Sequence, residues 1–168
     1  MNNERIKEID DIVCSMLLDM GMTFPENTMG ELLSKLGIPY AFEAPLPEGV
    51  SGIVIYDDKS KQYKIAVNKN DSRERRVFSL AHELGHYKLK HLDFNKAQND
   101  VKFRMSLYNY DGPEKKQETE ANYFAATLLV PEQKLRWALT QSIDTRVIAK
   151  YFGVSEAVII NRMNWLGL

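Results

Sequence analysis

Residues 82–86 read His-Glu-Leu-Gly-His, and no other segment of the 168-residue chain restricts its fold so tightly. Two histidines four apart on an α-helix project from one face, about one turn apart. At ~100° per residue, Val77, Leu80, Ala81, Leu84 and Tyr87 cluster on one side of that helix. His82, His86 and Ser79 fall on the opposite side, with Glu83 at its edge. One face therefore packs on a core and the other lines a site. Gly85 costs the helix about 1 kcal/mol relative to Ala, so the sequence predicts a second element passing close by.

The same residues carry chemistry. His82 and His86, one turn apart, can bind a single metal ion. Glu83, on the neighbouring face, can take a proton from water at that ion and pass it to a leaving amine. H-E-x-x-H is a known metalloprotease signature. Zinc suits this chemistry because it is redox-inert, accepts nitrogen and oxygen ligands, and lowers the pKa of water towards ~7. Manganese or iron fit the same donors. All three histidines of the chain lie within Ala81–His91. His91 comes five residues after His86 without an intervening Gly, whereas the metzincin pattern has six and a Gly turn. His91 is read as a helix end.

The third ligand is then expected to be a carboxylate. Glu118 and Glu120 are the candidates, ~200° apart on a helix, so that only one can face the metal. Asn122 lies four residues after Glu118 and can orient a ligand from behind. Ala121 and Ala125 would let this helix approach the histidine helix. Glu118 is the expected ligand, and Glu120 reads as a solvated position. Tyr87, Tyr108, Tyr110, Tyr123 and Arg104 are candidates for stabilising an oxyanion.

Around this motif the periodicity predicts an α+β fold: helices, then strands, then helices. Residues 4–20 and the segment after Asn27 or Thr28 have helical spacing; Asp71 or Ser72 starts the motif helix, with Glu74 placed for a capping box. Ile38–Phe42, Gly52–Tyr56 and Tyr63–Val67 read as a small antiparallel three-stranded sheet, the last two as a hairpin of which either strand can form the edge, Gly52–Tyr56 being preferred. The sheet packs on a helical bundle that contains the motif helix, a zincin-like arrangement. Residues 92–116 read as a long loop, and helices are expected at 115–129, 131–140 and, as a pair, after Thr145. We expect one domain over 1–168: N-terminal helices and first strand at 1–45, a zinc-binding core at 50–130 and a C-terminal helical segment at 131–168.

Charge and cysteine content narrow the partners. Lys and Arg number 22 against 23 Asp and Glu, a balance with no general attraction to nucleic acid or anionic membrane. No apolar run reaches the ~20 residues of a membrane span. Cys14 is the single cysteine and reads as a packed core thiol. With no intrachain disulfide possible, a cytoplasmic setting is expected. Ile148–Ser155 followed by Val158 and Arg162 resembles a helix-turn-helix. Residues 132–168 hold only five Lys or Arg against three acids, so a helical pair that closes the core or contacts the substrate is preferred over DNA binding. The alternative to an enzyme is a DNA-binding or protein-interaction regulator with a structural zinc site. Glu83 speaks against it, because a structural site has no use for that residue.

"HELGH" followed by "ETEANYFAATLLVP", together with "RRVFSLAHELGHYKLKH", "FRMSLY" and "FGVSEAVIINRMNWLGL", resembles the ImmA/IrrE family of zinc metallo-endopeptidases. The likeness covers roughly residues 50–168. It departs at Val130, where Met before the proline is usual, and in the length of the 92–116 loop. The resemblance implies a protein substrate, a helix-turn-helix repressor of a phage or mobile element, cleaved at a specific site. It also implies Glu118 as ligand, since a Glu three residues before Ala-Asn holds that position in related peptidases.

Overall fold

A computed structural model of the chain describes residues 1–57, 59–91, 103–104 and 113–168. Among the described residues, seven helices and four strands follow one another as α1 (Asn3–Met20), α2 (Met29–Lys35), β1 (Tyr40–Ala44), β2 (Gly52–Asp57), β3 (Gln62–Asn68), α3 (Arg73–Lys88), β4 (Phe103–Arg104), α4 (Pro113–Leu129), α5 (Glu132–Gln141), α6 (Thr145–Phe152) and α7 (Glu156–Leu166). The α+β class is as expected, and most helix ends follow from local chemistry. Thr28 caps α2 in a reciprocal capping box with Glu31. Ser72, rather than Asp71, caps α3 by accepting from the Arg75 amide. Most of the loop expected at 92–116 lies outside the described residues.

The sheet corrects the expectation of purely antiparallel strands. Its order is β1-β3-β2-β4. β2 and β3 form the expected antiparallel hairpin, from Gly52 opposite Val67 to Asp57 opposite Gln62. β1 instead lies parallel to β3, with Tyr40 opposite Ile65. The chain leaves β1, runs through residues 45–51, and enters β2 on the far side of the place β3 takes. Buried Asn68, at the end of β3, holds that connection: its Nδ2 donates to the carbonyls of Leu46, Pro47 and Val50 at 3.3, 3.2 and 2.8 Å. Gly52–Tyr56 is likewise not a bare edge, because β4 pairs with Gly52 and Ile53.

α3 lies between β2 and β3 on one side and α4 on the other. α4 is enclosed nearly all round: Ala121 and every residue from Tyr123 to Val130 are buried, as expected for a helix at the centre of a helical layer. α1 grips it through Asp10, which accepts from the Tyr123 hydroxyl at 3.0 Å. α7 grips it through Arg162, whose Nε donates to the Val130 carbonyl at 3.2 Å and whose guanidinium sits 5.3 Å from the Tyr123 ring centre. Val154, Val158 and Ile159 are buried, so the helix-turn-helix-like segment packs its apolar residues onto the core. Cys14, expected inside, is exposed; Ile9, Val13 and Met16 take the buried stripe of α1 and leave position 14 outside it.

The close approach predicted at Gly85 is observed. A Cβ there would meet the Phe124 ring at 3.1 Å and the Ala121 Cα and carbonyl oxygen at 3.3 Å. Two of those three atoms are backbone, which cannot rotate away. Gly85→Ala should therefore lower the thermal unfolding midpoint of the metal-free protein: overpacking costs about 1–3 kcal/mol against about 1 kcal/mol of regained helix propensity. A raised midpoint would mean that α3 and α4 are not in close contact there.

Candidate metal centre

Close contact between α3 and α4 brings three side chains to one point. His82 and His86 Nε2 are 3.0 Å apart. Glu118 reaches from α4 with Oε2 3.1 Å from His82 Nε2 and Oε1 3.3 Å from His86 Nε2. Zinc bonds of about 2.0–2.1 Å in a tetrahedron set ligand atoms about 3.3 Å apart, so the spacing fits one ion with little adjustment. Among the described residues, these three form the His, Cys, Asp and Glu group able to share a metal ion.

The electrostatics agree with the spacing. Burial opposes charge on His82, but the hydrogen bond to Glu118 and the nearby Glu83 and Glu118 carboxylates outweigh it and raise the pKa of the ring. Burial also opposes ionisation of Glu118, yet the two imidazoles hold its carboxyl well below the usual range. Positive charge is thus favoured where the three donors converge, which is the charge a divalent cation supplies.

The surroundings fix each donor. Asn122 Oδ1 lies 3.0 Å from His82 Nδ1. A carbonyl oxygen only accepts, so the neutral ring carries its proton on Nδ1, which leaves Nε2 as the atom to bind a metal. Glu83 is buried against the sheet, where a Cβ on Gly52 would meet its Cγ at 3.2 Å and its Oε1 at 3.3 Å. Gly52 carries no site role in the sequence-based expectation; a glycine opening a strand is the signal that could have found it, because it marks close approach. Beside His82 a groove of ≈ 720 Å³ runs between α3, α4 and α7, with Phe78, Asn122, Val158 and Trp165 in its walls.

Other expected residues fall elsewhere. The Tyr123 hydroxyl is committed to Asp10, and the Tyr87 ring packs on Tyr63 at 4.9 Å. Tyr108, Tyr110 and the Arg104 side chain lie outside the described residues. Glu120 is a correction: it is buried, not solvated, and so is His91. His91 Nε2 lies 3.0 Å from Glu120 Oε2, and the Arg5 guanidinium donates to the same oxygen at 2.6 Å. Burial opposes ionisation of Glu120, but Arg5 and His91 outweigh it and lower its pKa.

A helix with two imidazoles and a following glutamate, met by a carboxylate from a second helix, defines the class of H-E-x-x-H metallopeptidase folds. Comparison with known proteins agrees. The profile of the Peptidase_M78 family, described as the IrrE N-terminal-like domain, matches residues 35–164, and the chain belongs to that family. The chain is 32% identical over 120 residues to Metallopeptidase ImmA of Bacillus subtilis (strain 168), covering 70% of this chain and 64% of that protein. It is also 32% identical over 112 residues to an uncharacterised immunity region protein of Bacillus phage phi105, covering 67% of this chain and 59% of the relative. The chain thus spans about three fifths of the length of these relatives. In structure it resembles a Mycobacterium tuberculosis transcriptional regulator with a TM-score of 0.66 at 20% identity, over 94% of this chain and 46% of that one; that likeness concerns the fold. No helix among the described residues is long and apolar enough to cross a membrane.

The Asn122 contact generates a measurable expectation. Asn122→Leu removes the acceptor that sets the His82 tautomer and should weaken metal binding about 10-fold, read by competition with a chromophoric chelator. Unchanged affinity would mean that the contact does not hold the ring in its binding form.

Proposed function

We propose that this chain is a zinc-dependent endopeptidase acting on a protein substrate, with His82, His86 and Glu118 as the metal ligands. The convergence of their ligand atoms at spacings of 3.0, 3.1 and 3.3 Å carries this reading. Three protein ligands are also the number a catalytic zinc site takes, the fourth position serving water and substrate. A bound zinc ion supplies polarisation of the scissile carbonyl and a lowered pKa for water.

The chain's own residues do the rest. Asn122 holds His82 in the tautomer that binds through Nε2. Glu83, buried close to Gly52, takes the proton of the attacking water and delivers it to the leaving amine. Among the described residues β4 pairs with Gly52 and Ile53 alone, so an extended substrate can add to β2 beyond them. The groove beside His82 is of a size to take substrate side chains. The relative named for a phage immunity region supports a transcriptional repressor of a phage or mobile element as the substrate, and such a substrate would be met in the cytoplasm. A DNA-binding regulator with a structural metal is less well supported. Val158, Ile159 and Arg162 of α7, the helix a helix-turn-helix would turn towards DNA, are buried.

The test separates binding from chemistry. Glu83→Gln should retain zinc and lose peptide hydrolysis by about 10²–10⁴-fold, measured on a peptide library. His82→Ala and His86→Ala should lose both, and Glu118→Gln should weaken zinc by about 10-fold or more. Full hydrolysis by Glu83→Gln would overturn the mechanism, and undiminished zinc affinity in Glu118→Gln would overturn the ligand set.

A further inference from the structure

His86 poses a problem that His82 does not. An imidazole that offers Nε2 to a metal must carry its proton on Nδ1, and that proton needs an acceptor. His82 has the Asn122 amide oxygen. His86 is fully buried, and its Nδ1 lies 2.9 Å from another imidazole nitrogen, His91 Nδ1. Between two neutral rings one nitrogen donates and the other accepts. If His86 Nδ1 donates, His91 Nδ1 accepts, and the His91 proton sits on Nε2. That nitrogen faces Glu120 Oε2 at 3.0 Å, an oxygen that also accepts from Arg5 at 2.6 Å. Every donor then points towards Glu120, and with both rings neutral this assignment keeps the His86 Nε2 lone pair for the metal.

The end of α3 builds this contact. Leu89 is the C-cap residue, and Lys90 follows with φ 57. The Lys90 amide donates to the Tyr87 carbonyl at 3.3 Å and the His91 amide to the His86 carbonyl at 3.0 Å, which is the Schellman pattern. In that motif the residue two beyond the C-cap folds back onto the one three before it, usually as an apolar contact. Here the two residues are His91 and His86, and the contact is a hydrogen bond between rings. The five-residue spacing that unfits His91 for the metzincin ligand pattern suits it to this position. Arg5 closes the chain from α1, which lies outside residues 35–164 matched by the family profile.

We propose that His91 is the positioning residue for His86, held in its accepting tautomer by Glu120 and Arg5, so that helix α1 contributes to metal affinity. The proposal rests on the reading of His82, His86 and Glu118 as a metal site. It is tested by chelator competition for zinc, and by the visible spectrum of the cobalt(II)-loaded protein, for His91→Ala, Glu120→Gln, Arg5→Met and the double variant His91→Ala with Glu120→Gln. Zinc should bind about 10–100-fold more weakly in His91→Ala, with a shifted cobalt spectrum, and about 3–10-fold more weakly in the other single variants. The double variant should bind as His91→Ala does, because Glu120 acts through His91. Arg5→Met, at a half-buried site on α1, carries the test if His91→Ala does not fold, and Arg5→Lys should restore most of its loss. Native protein that binds zinc tightly, with His91→Ala within about twofold of it, overturns the proposal alone, as does full additivity in the double variant. Native protein that takes up no zinc overturns the metal-site reading, and the proposal with it.

Discussion

The near-contact of α3 with the backbone of α4 at Gly85 and Ala121 sets how closely the side chains of the two helices can converge. Metal bonds are about 2 Å long, so histidines on one helix and a carboxylate on another can share an ion only if the helix axes are close. Side chains larger than Gly and Ala at the crossing would hold them apart. The same crossing puts Asn122 within hydrogen-bond reach of His82. It also explains why both faces of α3 are buried, with Leu80 and Leu84 on one side and His86 on the other. The expected division into a core face and an open face is replaced by a helix enclosed between a sheet and a second helix.

α4 is correspondingly dense in polar roles at one end. Within five residues Glu118 faces both imidazoles, Glu120 holds His91 and Asn122 holds His82. Beyond that segment the helix is almost wholly apolar and buried, with α1 and α7 packed against it. The polar end is therefore set by a rigid apolar one. Burying a carboxylate such as Glu120 costs several kcal/mol unless it is paired, and Arg5 and His91 supply the pairing.

What is legible in the sequence has a local period behind it. The spacing of His82 and His86, the demand of Gly85 for a close neighbour, and the helical offset that favours Glu118 with Asn122 are all properties of one helix. The helix caps and the β2–β3 hairpin are likewise written in adjacent residues. The parallel placement of β1 is not, because its partner lies one strand further along the chain and the determinant is Asn68 reaching back to residues 46–50. The burial of Glu120 escapes the sequence for a related reason. A helical wheel turns it away from the ion, but its partners Arg5 and His91 lie 115 and 29 residues away in sequence. Cys14 shows the opposite failure: apolar neighbours suggest a core position, while the stripe of Ile9, Val13 and Met16 leaves it outside.

In the proposed site α3 and α4 hold one metal ion with two imidazoles and one carboxylate, leaving a position for water. Zinc K-edge X-ray absorption of the loaded protein tests it most directly. Two imidazole ligands at about 2.0 Å, no sulfur, and a remaining shell of oxygen are expected. A third imidazole, which His91 would have to supply, or a shell of four protein donors including the Cys14 sulfur, would contradict it.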